Sequence, residues 1–188
     1  SHVAAYRARL WVQQAHYNPQ RLDDAIRWAR ERNLKLDSER YNAAQFVLAR
    51  LIVAQHQRRD ERPLFSLTEL SDFLTRQLGA AQRYNAIGWQ VEVFILQALI
   101  HHLRGDASQA LVALQQALSL AEPEGYARTF LDEGPPMADL LRLGTQRQVW
   151  RSPRLAAFAN RLLRAFPDFG NKPSVPSPSP DLIEPLSE

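Results

Sequence analysis

The chain has 188 residues, with five histidines, 20 acidic residues and no cysteine, and these bound the chemistry open to it. Without cysteine there is no thiolate metal site, no cysteine nucleophile, no disulfide scaffold and no redox pair. His101 and His102 are adjacent, so on a helix their side chains point about 100° apart and cannot grip one ion together. No His-Glu-x-x-His occurs, and no carboxylate lies three or four residues from His101. His16 and His56 stand alone, so no metal site is expected and a structural role suits His101 better. The glycines at 79, 88, 105, 125, 134, 144 and 170 are each isolated. With Lys35 and Lys172 as the only lysines, no phosphate cradle can form, and no Gly-x-Ser-x-Gly elbow is present. Asp23-Asp24 and Asp132-Glu133 are adjacent acids, a spacing that suits a solvated surface or a helix end. No constellation supports catalysis, so the expectation is a binding protein and not an enzyme.

Binding chemistry is better represented. Tyr41, Gln45, Tyr84, Asn85, Trp89 and Glu92 combine rings with polar groups near the starts of two long helical stretches. If those stretches lie side by side, these six residues are the natural lining of a groove for a ligand or a partner. A second candidate is electrostatic. Across residues 121–138, Glu122, Glu124, Asp132 and Glu133 face only Arg128. From Asp139 to Phe166 the balance inverts, with Arg142, Arg147, Arg151, Arg154, Arg161 and Arg164 against Asp139 alone. Such a stretch meets nucleic acid or an acidic partner, or else lines the solvated face of terminal helices. Pro153 interrupts the shared face of Arg147, Arg151 and Arg154.

Helices must position these groups. No proline lies between Pro19 and Pro63 or between Pro63 and Pro123, which leaves two long windows compatible with helix. Leu67, Leu70, Leu74 and Leu78 recur at spacings of three and four, as do Ala107, Ala110/Leu111, Leu114, Ala117/Leu118 and Ala121. No stretch alternates with period two, so the expected fold class is all-α. Asn18-Pro19 opens a helix to about residue 32, and Asp37-Ser38 can cap one reaching about residue 57. Ser66-x-x-Glu69 is box-like and starts a helix ending near residue 81. Tyr84 to Arg104 follows, closed by Gly105, and Asp106-x-x-Gln109 caps a helix through Ala121. Gly134-Pro135-Pro136 begins one to about Leu143, and Ser152-Pro153 begins the last, ending at Phe166. Ile87 to Leu103 is apolar on two faces, which requires packing on both sides.

Phe94, Ala98, His101, Gly105, Ala110, Leu114 and Ala117 follow one another in an order that resembles the tetratricopeptide repeat, with His101 and Leu114 in place of the usual Tyr and Phe. Tyr41-Asn42-Ala43 and Tyr84-Asn85-Ala86 repeat 43 residues apart and suggest that each opens a long helix. The expected architecture is an antiparallel helix-pair superhelix, a tetratricopeptide-like solenoid.

A denser match lies at residues 121–143. Phe130-Leu131-Asp132-Glu133-Gly134, followed by Met137, Leu140 and Leu141, resembles the segment that succeeds the helical repeats in MalT-like regulators, the large ATP-binding members of the LuxR family. The closing Leu186-Ser187-Glu188 resembles the opening of a LuxR-type helix-turn-helix domain. The resemblance implies a helical sensor domain at residues 1–166 and a Pro/Ser-rich linker at 167–188, where six of the 12 prolines fall. It implies an unknown small-molecule inducer or partner protein, with DNA bound only through a helix-turn-helix domain beyond this chain. ATP is expected only in an upstream module; no cofactor is expected here. No apolar run is long enough for a membrane span and residues 1–10 hold no signal-like core, so a cytoplasmic location without a membrane partner is expected. The alternative reading is a tetratricopeptide-type protein-interaction scaffold with no small-molecule ligand.

Overall fold

The computed structural model describes residues 2–167, and every regular element among them is a helix. In chain order these are α1 (His2–Gln14), α2 (Gln20–Glu31), α3 (Ala43–Arg58), α4 (Leu67–Arg83), α5 (Ile87–Leu103), α6 (Ala107–Glu124), α7 (Ala127–Leu131), α8 (Pro135–Gln146) and α9 (Pro153–Ala165). Three antiparallel pairs, α1/α2, α3/α4 and α5/α6, stack so that α1 meets α3 and α3 meets α5. The first helices thus form one continuous row, and α2, α4 and α6 back it. The last three helices close the stack, with α8 and α9 packed on α6 and α8 also reaching α5. This is the helix-pair solenoid that the repeat spacing implies.

Burial follows each helix's place in the stack. On α4 the buried positions Leu70, Phe73, Leu74, Gln77, Ala80 and Ala81 form one stripe, as expected of a helix covered on one side. On α3, burial runs without a break from Gln45 to Val53, and on α5 both apolar faces are covered by α3, α4, α6 and α8. Phe46 and Phe73 meet between α3 and α4 with ring centroids 6.0 Å apart, and both are fully buried. Each such ring contributes roughly 1.5–3 kcal/mol of burial.

Local signals fix most boundaries. Ser66 Oγ accepts from Glu69 N at 3.2 Å while Glu69 accepts from Ser66 N at 2.8 Å, a complete capping box. Asp106 accepts from Gln109 N at 3.0 Å and Ser152 Oγ from Leu155 N at 3.2 Å. Pro19 is itself the N-cap of α2, and Asn18 accepts from Gln20 N at 3.2 Å.

Several expected boundaries move. Asp37 and Ser38 do not cap α3; Asn42 does, accepting from Ala44 N at 3.0 Å. Asp37 and Ser38 instead hold the preceding loop against the helices. Gln45 donates to Asp37 at 2.8 Å, and Gln77 donates to the Ser38 carbonyl at 2.6 Å. Tyr84 and Asn85 do not open α5. Tyr84 is the C-cap of α4, and Asn85 takes a left-handed φ of 50° in the turn. Asn tolerates that conformation better than most residues, so the Tyr-Asn-Ala echo marks a helix start at 41–43 and, at 84–86, the turn from the C-cap of α4 to the N-cap of α5 at Ala86. α6 runs past Pro123 to Glu124 before Gly125 ends it at φ 70°. α1 and α7 carry no strong start signal, and the spacing does not predict them. Beyond Pro167, the linker expectation lies outside the described residues.

Candidate functional site

The row of first helices carries a groove. Ala5, Tyr6 and Arg9 from α1, Tyr41 from the loop before α3, Ala43, Phe46, Val47 and Arg50 from α3, and Glu92 from α5 line a cavity of ≈ 260 Å³. Three successive repeats therefore contribute to one wall.

At its base is Arg50, a buried arginine in the middle of α3. Its Nε donates to Glu133 at 2.7 Å, and its Nη1 donates to Glu92 at 3.1 Å and to the Phe46 carbonyl at 3.3 Å. Burial works against the guanidinium charge, but Glu133 and Glu92 more than offset it, so its pKa stands above the ordinary arginine value. One residue thus ties α3, α5 and the α7–α8 turn together. Tyr41 completes the arrangement by donating its hydroxyl to Glu92 at 3.0 Å. Burial, then the Glu92 charge and its hydrogen bond, pushes the Tyr41 phenol up to about 12.

Of the six residues expected to line a groove, four come together. The Tyr41 ring stacks on Phe46 at 5.1 Å and meets Trp89 edge-on at 5.8 Å. Tyr84 stacks on Trp89 at 6.4 Å, and Glu92 sits one helical turn from Trp89. Tyr41 is half-exposed and Tyr84 largely exposed, while Trp89 is buried. The other two serve the backbone. Gln45 is buried with its amide committed to Asp37 and to the Ser38 N–H, and Asn85 occupies the left-handed turn. Tyr6, Arg9, Phe46 and Arg50 escaped the sequence reading. Arg50 had a signal: it interrupts the apolar run Val47-Leu48-Ala49-Arg50-Leu51-Ile52-Val53, where an ionised side chain must find buried partners.

The signature segment joins the terminal helices to two arginines of this groove. Phe130 is fully buried and meets Phe158 edge-on at 6.1 Å, and Leu131 is half-buried beside it. Met137, Leu140 and Leu141 fill the core beneath α8. Asp132 pairs with Arg9 at 3.3 Å and Arg128 at 2.9 Å, while Glu133 reaches Arg50. Gly134 adopts φ 71° and ψ −151°, and a Cβ there would stand 2.8 Å from the His16 ring. Both the backbone conformation and the close approach require glycine. Burial lowers the His16 pKa, partly opposed by a hydrogen bond to the Glu133 backbone. The segment is therefore a clamp, with its two acids on α1 and α3 and its apolar residues in the terminal helices.

His56 bonds to the Phe65 carbonyl at 3.0 Å, and His101 and His102 end α5 half-buried. Among the described residues no group of three or more His, Asp or Glu is placed to hold a metal ion, and no helix is long and apolar enough to cross a membrane. The groove has rings for apolar contact, one carboxylate and two guanidinium groups, a set suited to holding a ligand.

No curated protein and no solved structure matches the chain. A family model described as the MalT-like TPR region matches residues 1–147, which run from α1 through α8 and include the clamp. The chain belongs to the MalT-like TPR family.

Proposed function

We propose that this chain is the sensing segment of a LuxR-type transcriptional regulator and that it works by binding, without turnover. The groove carries the reading: its wall draws on α1, α3 and α5 together, and its base is the Arg50 junction with the clamp. An inducer or partner seated there touches three repeats at once. Its affinity then depends on how those repeats pack, which is the differential affinity needed to shift an equilibrium between two states. In the longer protein that shift would pass through the clamp and the linker to a helix-turn-helix domain, which alone would contact DNA. ATP would belong to an upstream module, and the protein would act in the cytoplasm.

The test is thermal unfolding of the chain and its Tyr41→Ala variant against a panel of soluble metabolites. Saturation at one hundred times Kd raises stability by about 2.7 kcal/mol. A shift lost in Tyr41→Ala supports the inducer reading. Silence from every metabolite, with a Tyr41-dependent shift caused by a protein partner, replaces it with the interaction-scaffold reading. A coding sequence that continues past Glu188 without a helix-turn-helix pattern overturns the regulator.

A further inference from the structure

A second cavity lies away from the groove, where the loop between α8 and α9 crosses α6. It has a volume of ≈ 240 Å³ and is lined by Ser108, Leu111, Val112 and Gln115 from α6 and by Arg147, Val149 and Arg151 from the loop, with no acidic residue among them. The loop lies there because Gly144 leaves room for it: a Cβ at Gly144 would collide with the Trp150 ring. Trp150 is further held by its Nε1 donating to Thr145 at 3.1 Å.

The cationic rim has no ion-pair partner among the described residues. Arg142 is bonded to Asp139 at 2.7 Å and Arg154 to Glu122 at 2.7 Å, but among the described residues no ion pair involves Arg147 or Arg151. Arg151 is nevertheless oriented. Gln115 is buried and, with its amide turned to satisfy both ends, donates to the Val149 carbonyl at 2.8 Å and accepts from Arg151 Nε at 2.5 Å. That leaves the outer edge of the Arg151 guanidinium, a fork suited to a carboxylate, without an ion-pair partner. Between the two arginines is an apolar floor on which Val112 stands 54% exposed. A large exposed aliphatic beside an oriented arginine and a second one, neither with an ion-pair partner among the described residues, calls for an occupant that is both apolar and acidic.

We propose that this cavity docks an acidic peptide segment of a partner protein, with carboxylates on Arg147 and Arg151 and a large apolar side chain on Val112 and Val149. The volume suits one large side chain and its flanking groups. A nucleic-acid duplex fits less well, because phosphate binding calls for several spaced cations on an open face and has no use for an apolar floor. The site does not depend on the groove or on the regulator reading.

Fluorescence anisotropy of three labelled peptides with the intact chain tests this: acetyl-EDLFED-amide, its uncharged counterpart acetyl-QNLFQN-amide, and acetyl-EDGGED-amide, which keeps the charge and loses the apolar pair. The first peptide binds, and each of the other two binds at least about fivefold more weakly. Val112→Glu and Arg147→Gln, both at exposed positions that leave the fold intact, weaken the first peptide by a similar factor. Amide NMR shifts caused by that peptide map to residues 108–115 and 147–151. Equal binding of the Gly-Gly peptide, shifts mapping elsewhere, or no binding at all overturns the proposal. So does a short DNA duplex that binds with Arg147 dependence and indifference to Val112→Glu. None of these outcomes bears on Tyr41 or on the groove.

Discussion

Arg50 in the middle of α3 and Arg151 just ahead of α9 carry the same guanidinium into opposite surroundings. Arg50 is buried and faces Glu92 and Glu133, so its directed hydrogen bonds join helices that are distant in sequence. Arg151 is exposed, is held only at Nε, and lacks an acidic partner among the described residues. Burial decides the difference. Inside, an ionised group without partners is too costly to tolerate, so the fold supplies them; outside, water satisfies the group and leaves it free to recognise something else. The first arginine therefore belongs to stability and to the joining of repeats, and the second to surface chemistry.

The harshest way to break this contrast is Arg50→Ala, which leaves Glu92 and Glu133 facing each other without a cation. Urea unfolding should show a loss of about 3–5 kcal/mol, the usual consequence of removing one partner of a buried pair. The combined Arg50→Met, Glu92→Gln, Glu133→Gln variant should recover most of that loss, because no charge is left unpaired. A loss below about 1 kcal/mol for the single variant would place Arg50 with the surface arginines. Next in size is Gly134→Ala at the clamp. Its φ of 71° and ψ of −151° and the His16 ring both oppose a methyl group, so a loss of about 1–3 kcal/mol is expected by the same measurement. Adding His16→Ala should relieve the contact part of that cost and leave the backbone part.

These two positions also show how far the sequence could be read. The helices announced by Ser66, Asp106 and Ser152 begin where those residues stand, because a cap is a local event between neighbours. The doubly apolar stretch Ile87–Leu103 correctly implied a helix packed on both sides. The Tyr-Asn-Ala echo precedes a long helix both times, but with different roles for Asn, which is the N-cap before α3 and the left-handed turn residue ahead of α5, and only the path of the chain selects between them. The groove was half legible. Tyr41, Trp89, Tyr84 and Glu92 are visible as side-chain types, but Arg50 meets Glu92 and Glu133, and Arg9 meets Asp132, across 42 to 123 positions of sequence. No local rule gives such pairings. The signature segment was recognisable as a pattern, yet its role as a clamp depends on partners in α1 and α3.

Tyr41 offers a gentler probe of the same junction. Its phenol stands near 12 against an ordinary value of 10.0. A raised folded-state value means that the neutral hydroxyl is favoured, so its stabilising contribution is complete below about pH 10 and lost as the pH rises through about 12. Phenolate absorbance during alkaline titration should show one late-titrating tyrosine that disappears in Tyr41→Phe and moves down in Glu92→Gln. The Tyr41→Phe change should cost about 0.5–1.5 kcal/mol, the worth of one hydrogen bond. A Tyr41 that titrates near 10 in the unaltered chain would mean that Glu92 is committed to Arg50 alone.

The smallest expected effect makes the contrast sharpest. Arg147→Gln and Arg151→Gln should each change unfolding stability by no more than about 0.5 kcal/mol, since neither forms an ion pair among the described residues. Arg154→Gln, which gives up its 2.7 Å bond to Glu122, should cost little more, because Arg154 is largely exposed. If Arg151→Gln instead proved as damaging as the Gly134 change, the Gln115 brace would be holding the α8–α9 loop in place through Arg151. The outer arginine would then do the structural work assigned here to Arg50, and its freedom to meet an acidic partner would be gone. Indifference of stability, paired with a loss of peptide binding, is the one combination in which the two guanidinium groups keep separate roles.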